Sequence, residues 1–248
     1  MSDTSVDGDP NEVAVLVPAA GEGSRLGGTR KQFRVLGDRP LLVQVLLVFE
    51  RHPGVGHIVV AAPEEYVSDV SDRLQAEGLS SLTAVVSGGD SRQASVQHAL
   101  RAVPAPVEVV LVHDAVRPFV TAREVQAVVR AVHEHGAASL ALPVADTLRH
   151  ASGEVFGETV SRDGLYRMQT PQGFRRAWLE EAHRLAAEGE SDPVTDDVGL
   201  VQQAGREVHR VDGSRRNFKI TTTGDWQMAQ ELWLAWADDP DRLATAAD

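Results

Sequence analysis

The sequence predicts an α/β protein in which a mainly parallel central sheet lies between two layers of helices. Short apolar runs alternate along the chain with amphipathic stretches of helical length, and this alternation is typical of repeated strand–helix units. The apolar runs are continuous instead of alternating with polar residues, so we expect strands that are buried on both faces. The chain has 248 residues, of which 42% are hydrophobic, and this is enough for the core of one large domain.

The apolar runs and helical patterns predict the elements in chain order. Strands are expected at 13–17, 58–62, 83–86, 107–112 and 139–142. Helices are expected near 40–51, 65–77, 92–103 and 122–135. The last of these has apolar residues at the helical spacing i, i+3, i+4, i+7, namely Val125, Val128, Val129 and Val132. Further along, helices are predicted near 175–188 and 195–204, strands near 206–211 and 217–221, and a final helix from about 224.

The stretch 143–168 interrupts this rhythm. It is polar and contains Gly153, Gly157 and Gly164, and its β-prone pairs are Val155-Phe156 and Thr159-Val160. It has too few apolar residues for a core of its own, so we interpret it as a protruding hairpin arm. The predicted organisation is an acidic, flexible tail at 1–12, a single domain at 13–236 and a second acidic, flexible tail at 237–248.

Charge and composition exclude several classes of function. The formal net charge is -12, which argues against a general nucleic-acid binder. Residues 1–12 carry four acids and no base, and residues 237–248 carry four acids and one base, so the two ends hold seven of the twelve net negative charges. The absence of cysteine excludes disulfides, cysteine nucleophiles and cysteine zinc sites. No apolar run has the length of a membrane span and the start lacks signal-peptide features, so we expect a cytoplasmic protein without a membrane partner.

A glycine-rich motif, PAAGEGSRLGGTRKQF, follows the first predicted strand. The dinucleotide-binding pattern GxGxxG is excluded because Leu26 stands where its third glycine belongs. A Walker motif fails because Thr29 and Arg30 replace its Lys-Ser/Thr pair. Two interpretations remain: a phosphate-binding loop that offers Arg25 and Lys31, or a surface loop with two solvated bases.

Two further motifs lie after the third and fourth predicted strands. In GGDSRQASV, Asp90 or Ser91 can cap the following helix, and Ser95 faces inward one turn later. In VHDAVRPF, Asp114 ends a buried strand and is a natural ligand for magnesium held jointly with phosphates. The alternative is that Asp114 only pairs with Arg117. His113 is expected to be a packed or backbone-bonded histidine.

Later motifs are weak when each is taken alone. They include Asp146-Thr147, Arg162, the TPQGF run at 170–174 and the TDD run at 195–197, which also suits a helix cap. Lys219 lies in a β-prone run, where a lysine commonly marks a sheet edge.

Together, in this order, the motifs resemble the 2-C-methyl-D-erythritol 4-phosphate cytidylyltransferases of non-mevalonate isoprenoid synthesis. The glycine-rich motif alone indicates only the sugar-nucleotidyltransferase superfamily, whereas the combination is much more specific. The matching runs, which extend from Pro18 to about Thr222, are PAAGEGSRLGGTRKQF, GGDSRQASV, VHDAVRPF, DT, SRDGL, TPQGF, TDD and NFKITT.

The resemblance implies a three-layer, Rossmann-like nucleotidyltransferase fold and a reaction between CTP and a sugar-alcohol phosphate that releases pyrophosphate. It implies a divalent cation, Mg²⁺, held at Asp114. It also implies a homodimer in which the 143–168 arm reaches the partner's active site.

The resemblance also assigns residue roles. Arg25 and Lys31 would contact the triphosphate and stabilise the transition state, and Arg162 and Lys219 would position the methylerythritol phosphate. The second substrate would also be contacted by Arg117, Asp146 and Thr147. The nucleotide pocket would be formed by Pro18, Ala19, Ala20, Gly21, Gly23, Gly88, Asp90, Ser95 and Asp114.

The sequence departs from the family pattern at a few positions. Val116 and Val198 replace alanines, and both are expected to change packing only. Arg215 and Arg216 add positive charge close to Lys219. The pocket is expected to be locally basic through convergence of Arg25, Lys31, Arg117, Arg162, Arg215, Arg216 and Lys219.

Two other functions fit the same motifs. The first is a pentitol-phosphate cytidylyltransferase, for example one that uses ribitol 5-phosphate. The second is a catalytically silent nucleotide-binding protein with this fold.

Overall fold

The computed structural model describes residues 13–21, 30–189, 194–239 and 242, and a seven-stranded sheet forms its centre. The strands of this sheet are β1 (Val13–Pro18), β4 (Val55–Ala62), β5 (Leu82–Ser87), β6 (Val109–Val112), β7 (Ala137–Pro143), β10 (Tyr166–Arg175) and β11 (His209–Asp212). Their order across the sheet is β11, β7, β10, β6, β1, β4, β5. β10 runs antiparallel to both of its neighbours, and the other pairs are parallel, which confirms a mainly parallel sheet.

Helices cover both faces of the sheet, as predicted. They are α1 (Leu41–Glu50), α2 (Val67–Ala76), α3 (Arg92–Arg101), α4 (Ala122–His135), α5 (Arg176–Ala187), α6 (Asp197–Gln203) and α7 (Thr223–Trp236). α1, α2 and α4 pack on one face, and α3, α5 and α6 on the other. α7 builds a third, smaller apolar cluster that includes Leu36, Phe119 and Ile220.

The central strand β1 shows why a continuous apolar run predicts such a strand. Val13, Val15 and Val17 point into the cluster beneath α1 and α4, whereas Ala14 and Leu16 point into the cluster beneath α3. Since both faces are covered by helices, the usual alternation of apolar and polar residues is absent.

Two sequence expectations differ from the structure. β10 was not predicted, because the buried polar side chains of Gln169, Thr170 and Gln172 conceal its strand character. The predicted strand at 217–221 is wrong: this segment is irregular. Among the described residues, its one backbone–backbone hydrogen bond to the domain runs from Ile220 N–H to the Val116 carbonyl at 3.0 Å, and its other core contacts use side chains.

The predicted hairpin arm is present as β8 (Leu148–Ser152) and β9 (Val155–Val160). Two of its apolar side chains are strongly exposed, Val155 at 72% and Phe156 at 78%. The arm therefore projects from the domain without packing on its core.

The end of the chain differs in part from the expected solvated tail. Arg242 is buried, and its guanidinium donates to Gln44 Oε1 at 2.6 Å and lies 4.4 Å from the Trp233 ring centroid. The tail residues 1–12, 240–241 and 243–248 lie outside the described part of the chain. Among the described residues, no helix is long and apolar enough to cross a bilayer.

The strand order creates a crevice at one edge of the sheet. The chain passes from β1 to β4 on one side, and β6 lies on the other side of β1. The loops that leave β1 and β6 therefore diverge, and such a switch point is where open α/β sheets bind ligands. Pro18 and the pair His113-Asp114 lie at this point.

The short hairpin of β2 (Val35–Leu36) and β3 (Arg39–Pro40) offers a test of the packing beneath α7. Gly37 has φ of +68°, and an added Cβ would lie 2.1 Å from Trp233 Nε1. Gly37→Ala should therefore combine backbone strain with a steric overlap and destabilise the fold by roughly 2 to 4 kcal/mol, measured by urea denaturation.

Gly78→Ala is the matched control. Gly78 has φ of +74°, and nothing lies within 4 Å of an added Cβ. Gly78→Ala therefore isolates the backbone penalty, and equal losses in the two variants would contradict close packing of Trp233 on the hairpin.

Candidate active site

A cleft of about 820 Å³ opens at the carboxyl ends of β1 and β6. Its walls come from the loops after β1, β4, β5 and β6 and from the segment that contains residue 219. The structure brings ten residues of the predicted site to this cleft: Pro18, Ala19, Ala20, Gly21, Lys31, Gly88, Asp90, Ser95, Asp114 and Lys219.

The lysines of the chain are confined to this cleft. The sequence contains 24 Lys and Arg residues, of which only Lys31 and Lys219 are lysines, and both line the cleft. An ammonium is a compact point charge, whereas a guanidinium is a broad planar fork. The distribution therefore points to two positions in one site where the shape of the cation matters.

Asp114 is the electrostatic centre of the cleft. Its Oδ2 lies 3.2 Å from Lys219 Nζ and accepts from Arg117 Nε at 3.0 Å, while Oδ1 lies 3.5 Å from Arg92 Nε. Burial alone would raise the pKa of Asp114, but Lys219, Arg92 and Arg117 outweigh it and hold this pKa well below its usual range. The carboxylate is therefore ionised at any pH at which the protein works.

Arg92 connects Asp114 to the buried start of α6. It is the first residue of α3, and its Nη1 donates to Asp197 Oδ2 at 2.6 Å. Asp197 is the first residue of α6 and is buried, and this burial raises its pKa although Arg92 opposes the shift. An arginine in the first turn of a helix usually faces solvent, but here Arg92 bridges two carboxylates.

Polar side chains of β10 position the segment around Asp114. Thr170 Oγ1 accepts from the Asp114 N–H at 3.1 Å and lies 3.1 Å from His113 Nδ1. His113 Nε2 lies 3.1 Å from the Arg117 carbonyl, and burial lowers the pKa of His113 to about 4. A neutral ring then donates from Nε2 and accepts at Nδ1, so His113 is a packed, backbone-bonded histidine as expected.

Arg117 does not line the cleft. Its side chain is buried, and besides the bond to Asp114 its Nη1 donates to the Asn217 carbonyl at 2.9 Å. The guanidinium is thus engaged inside the protein, between the loop after β6 and the segment that leads to Lys219. Its predicted contact with the second substrate has no counterpart in this geometry.

The loop after β5 forms a close-fitting cradle. A Cβ on Gly88 would lie 2.3 Å from Ala20 Cβ, so only glycine allows this approach. Ser95 Oγ accepts from the Gly89 N–H at 3.1 Å, and Ser91 is the cap of α3, since it accepts from the Ala94 N–H at 3.0 Å. Asp90, the other candidate cap, is exposed and lines the cleft instead.

Several predicted site residues lie elsewhere. Asp146, Thr147 and Arg162 are exposed in the arm, outside the cleft lining, and Arg162 donates to the Ala145 carbonyl. Gly23 and Arg25 lie outside the described residues.

The expected convergence of arginines is only partial. Arg216 pairs with Asp239 at 3.0 Å and lies over Trp236, and neither it nor Arg215 lines the cleft. Among the described residues, the lining contains four basic side chains (Arg30, Lys31, Arg92 and Lys219) and four acidic ones (Glu64, Glu65, Asp90 and Asp114). The expected excess of positive charge is therefore absent from the described lining.

Gln32 is a site residue that sequence reasoning did not single out. It is buried, and its Nε2 donates to the Ala19 carbonyl at 2.7 Å and to the Gly21 carbonyl at 3.3 Å. The only sequence signal was its place directly after Lys31 in the glycine-rich motif.

Comparison with known proteins identifies related enzymes. The family model for 2-C-methyl-D-erythritol 4-phosphate cytidylyltransferase matches residues 13–234. A protein of that name from Salinibacter ruber is 69% identical over 93% of this chain and 97% of the relative, and one from Deinococcus radiodurans is 43% identical over 88% of each. A crystal structure of the Thermus thermophilus enzyme, 38% identical, covers 88% of this chain and 96% of its own with a TM-score of 0.75.

A buried histidine beside the site gives a pH prediction. The pKa of His183 is lowered to about 4 from its ordinary 6.5. Burial is the largest cause, and the nearby charges of Arg101 and Arg92 act in the same direction. Between these values the unfolded chain binds more protons than the folded one, so stability should fall as pH falls from 6.5 to 4. The contribution of this group is about 3 kcal/mol.

His183→Leu should remove one histidine's share of the slope of unfolding free energy against pH in this range, measured by urea denaturation. His113 keeps its own share, because burial lowers its pKa in the same way. Asp114 contributes only near the low end of this range, because its carboxyl in the unfolded chain begins to bind protons there while the folded one does not. An unchanged slope in the variant would contradict a neutral, buried His183.

Proposed function

The chain belongs to the 2-C-methyl-D-erythritol 4-phosphate cytidylyltransferase family, and from that premise we propose how its cleft carries out the reaction. The enzyme transfers CMP from CTP to 2-C-methyl-D-erythritol 4-phosphate in non-mevalonate isoprenoid biosynthesis. The products are 4-diphosphocytidyl-2-C-methyl-D-erythritol and pyrophosphate. The observation that carries the site proposal is the meeting of both lysines of the chain with a buried carboxylate in one cleft.

CTP is proposed to lie between the loops after β1 and β5. Gly21 and Gly88 leave room for close approach to the backbone, and Asp90 and Ser95 offer polar groups at the same wall. Pro18, Ala19 and Ala20 complete this wall, and Gly23 belongs to the proposal through its place in the motif.

The chemistry requires no protein nucleophile. A phosphate oxygen of the acceptor, already anionic, attacks the α-phosphorus of CTP in line, and the bond from that phosphorus to the bridging oxygen of pyrophosphate breaks. Negative charge is spread over the non-bridging oxygens as the leaving group departs. Lys31, together with Arg25, is proposed to stabilise this charge, because preorganised cations are what such a step needs.

Lys219 is proposed to position the phosphate of the acceptor. Asp114 holds its ammonium at 3.2 Å and is itself held by Arg117. Because the Arg117 guanidinium is buried in these contacts, we assign it to positioning the Asp114–Lys219 pair instead of to direct substrate contact.

A divalent cation, Mg²⁺, is proposed to bind at Asp114 together with the phosphates. Asp114 Oδ2 is engaged by Arg117 and Lys219, whereas Oδ1 has a longer contact of 3.5 Å to Arg92 Nε, so Oδ1 is the oxygen proposed to accept the metal ion. No cluster of three or more metal-binding side chains occurs among the described residues, which suits Mg²⁺ held by one carboxylate, phosphates and water. When bound, Mg²⁺ would supply counter-charge to the triphosphate, which a lining with equal numbers of acids and bases lacks.

A homodimer through the 143–168 arm is proposed to complete the site. Arg162 and Thr147 do not line the cleft of their own chain, and the arm exposes Val155 and Phe156. If each arm reaches the partner's cleft, the exposed apolar surface is covered and the acceptor gains the contacts expected from Asp146, Thr147 and Arg162.

We also propose that the enzyme works in the cytoplasm. Its nucleotide substrate is available there. The acidity of the chain is consistent with small-molecule substrates instead of nucleic acid.

Lys31→Ala should lower kcat by roughly a hundredfold or more, because the variant loses a cation that acts on charge developing in the transition state. Lys31→Arg should restore only part of the rate, since the guanidinium fork cannot reproduce a compact ammonium. The measurement is pyrophosphate release with CTP and 2-C-methyl-D-erythritol 4-phosphate. Near wild-type kcat in Lys31→Ala would remove Lys31 from the mechanism.

The same assay tests the substrate assignment in the wild-type protein. CTP is compared with UTP and ATP, and methylerythritol phosphate with ribitol 5-phosphate. A preference for ribitol 5-phosphate would contradict the assigned acceptor, whereas failure with every pair would indicate a silent protein.

Mixed dimers test the role of the arm. Co-expressed Lys31→Ala and Arg162→Ala chains should regain about a quarter of wild-type activity, because half of the dimers are mixed and each mixed dimer has one intact site. Lys31→Ala mixed with Lys219→Ala is the control. Both lysines line the same cleft, so no mixed dimer of this pair has an intact site.

Pyrophosphate release is assayed in each co-expressed mixture and again in the mixed dimers purified by two affinity tags, where the Lys31→Ala and Arg162→Ala pair should reach about half of wild-type activity. Recovery that is equal in the two mixtures, or absent from both, would rule out a site shared between subunits.

A further inference from the structure

Arg30 fastens the segment that carries Lys31 to a second wall of the cleft. Its Nη2 lies 2.9 Å from Glu65 Oε1, and its guanidinium carbon lies 5.4 Å from the centroid of the Tyr66 ring. Glu65 and Tyr66 belong to the turn Glu64–Tyr66 that follows β4. Arg30 also donates from Nη1 to the Ala20 carbonyl at 3.2 Å, so one side chain connects three parts of the wall.

Lys31 is held from both sides by its neighbours in sequence. Arg30, before it, reaches outward to the turn after β4. Gln32, after it, reaches inward to the carbonyls of Ala19 and Gly21. The backbone of Lys31 therefore lies between two anchored neighbours. Both bond to the loop after β1, and Arg30 alone also reaches the turn after β4. Phe33 adds a ring contact to Tyr66 at 6.2 Å.

The charge around Arg30 argues against a direct role on the triphosphate. Glu65 neutralises the guanidinium, whose other contacts are a carbonyl and a ring face. An exposed ion pair of this kind adds little to stability by itself, so its main effect is on geometry.

We propose that Arg30 is a positioning residue for the transfer step. Through its contacts with Glu65, Tyr66 and Ala20, Arg30 holds Lys31 where its ammonium can stabilise the charge that develops in the transition state. This inference rests on the proposed role of Lys31. A cation that stabilises developing charge must lie in place before the step, and a displacement of about 1 Å can cost a large factor in rate. The nucleotide wall at Ala19 and Gly21 keeps its separate anchor in Gln32, so binding of CTP depends less on Arg30.

The kinetic test uses Arg30→Ala and Glu65→Ala. In both variants kcat should fall roughly tenfold, with a smaller change in the KM for CTP, because the contact acts on the transition state. Glu65→Gln keeps an oxygen acceptor for Arg30 and should recover part of the rate. Arg39→Ala is the matched control: Arg39 pairs with Glu77 at 3.1 Å outside the cleft, and its loss should leave kcat unchanged.

The opposite pattern would overturn the proposal. If Arg30 contacted the triphosphate directly, Arg30→Ala would raise the KM for CTP, and Glu65→Ala would lower it by releasing the guanidinium. Equal kcat in Arg30→Ala and wild type would also overturn it.

A second measurement asks whether Arg30 acts through Lys31. In a Lys31→Ala background, Arg30→Ala should cause no further loss of kcat, whereas independent roles would multiply. If Lys31→Ala alone is fully active, the proposed role of Lys31 fails, and this outcome is distinct from an additive double variant, which rejects only the role of Arg30.

The two lysines allow a direct readout that does not depend on activity. Isotope-labelled lysine should give two side-chain NMR signals from the described cleft, and the Lys31→Ala variant assigns them. Arg30→Ala should shift the Lys31 signal and leave the Lys219 signal in place. An unshifted Lys31 signal would show that Arg30 does not position this ammonium.

Discussion

The carboxylate of Asp114 and the three cations around it are the interaction on which the cleft depends. Each cation comes from a different part of the chain: Arg92 opens α3, Arg117 lies in the loop after β6, and Lys219 follows the last strand of the sheet. One buried negative charge therefore draws together segments that the fold brings to a single edge. Burial of an unpaired carboxylate would be strongly unfavourable, so these contacts are as much a condition for folding as for the site. Thr170 on β10 and the neutral His113 then fix the backbone from which Asp114 projects.

The net charge of the chain does not reveal this local arrangement of cations around Asp114. A protein at -12 repels polyphosphate over its surface as a whole, but seven of these charges lie at the two ends of the sequence. Within the described cleft, acids and bases are equal in number, and Asp114 and Glu65 each have cationic partners. Every Lys or Arg position outside the cleft lining is an arginine, whereas both lysines of the chain line the cleft. Arginine suits paired, planar contacts, while a lysine ammonium presents a compact charge that can approach one oxygen closely.

The sequence predicted the strands and helices whose hydrophobic pattern is regular along the whole element. β1, β4, β5, β6 and β7 were recognisable because their side chains are apolar on both faces. β10 was missed because Gln169, Thr170 and Gln172 point into polar networks within the core. The segment at 217–221 was taken for a strand, yet the Asn217 carbonyl bonds to the side chains of Arg117 and Gln169 instead of to a neighbouring strand. Glycine and aspartate at strand ends did indicate the cleft. Arg30 and Arg92 were not predicted as site residues, because an arginine that pairs inward looks the same in sequence as one that faces water.

The division between cleft and arm explains why one chain holds only part of the predicted site. The sheet places Lys31, Asp114 and Lys219 together because strand ends meet at its switch point. Residues 145–159 are all exposed, so the arm has no comparable support from its own domain. A short hairpin that exposes Val155 and Phe156 is only marginally stable alone, and in the proposed homodimer a second copy of the chain would cover it. Under the proposed arrangement the acceptor phosphate would be held by Lys219 of the cleft and by Arg162 of the partner subunit. Dimerisation, rather than folding of one chain, would then bring Arg162 to Lys219 and complete the site.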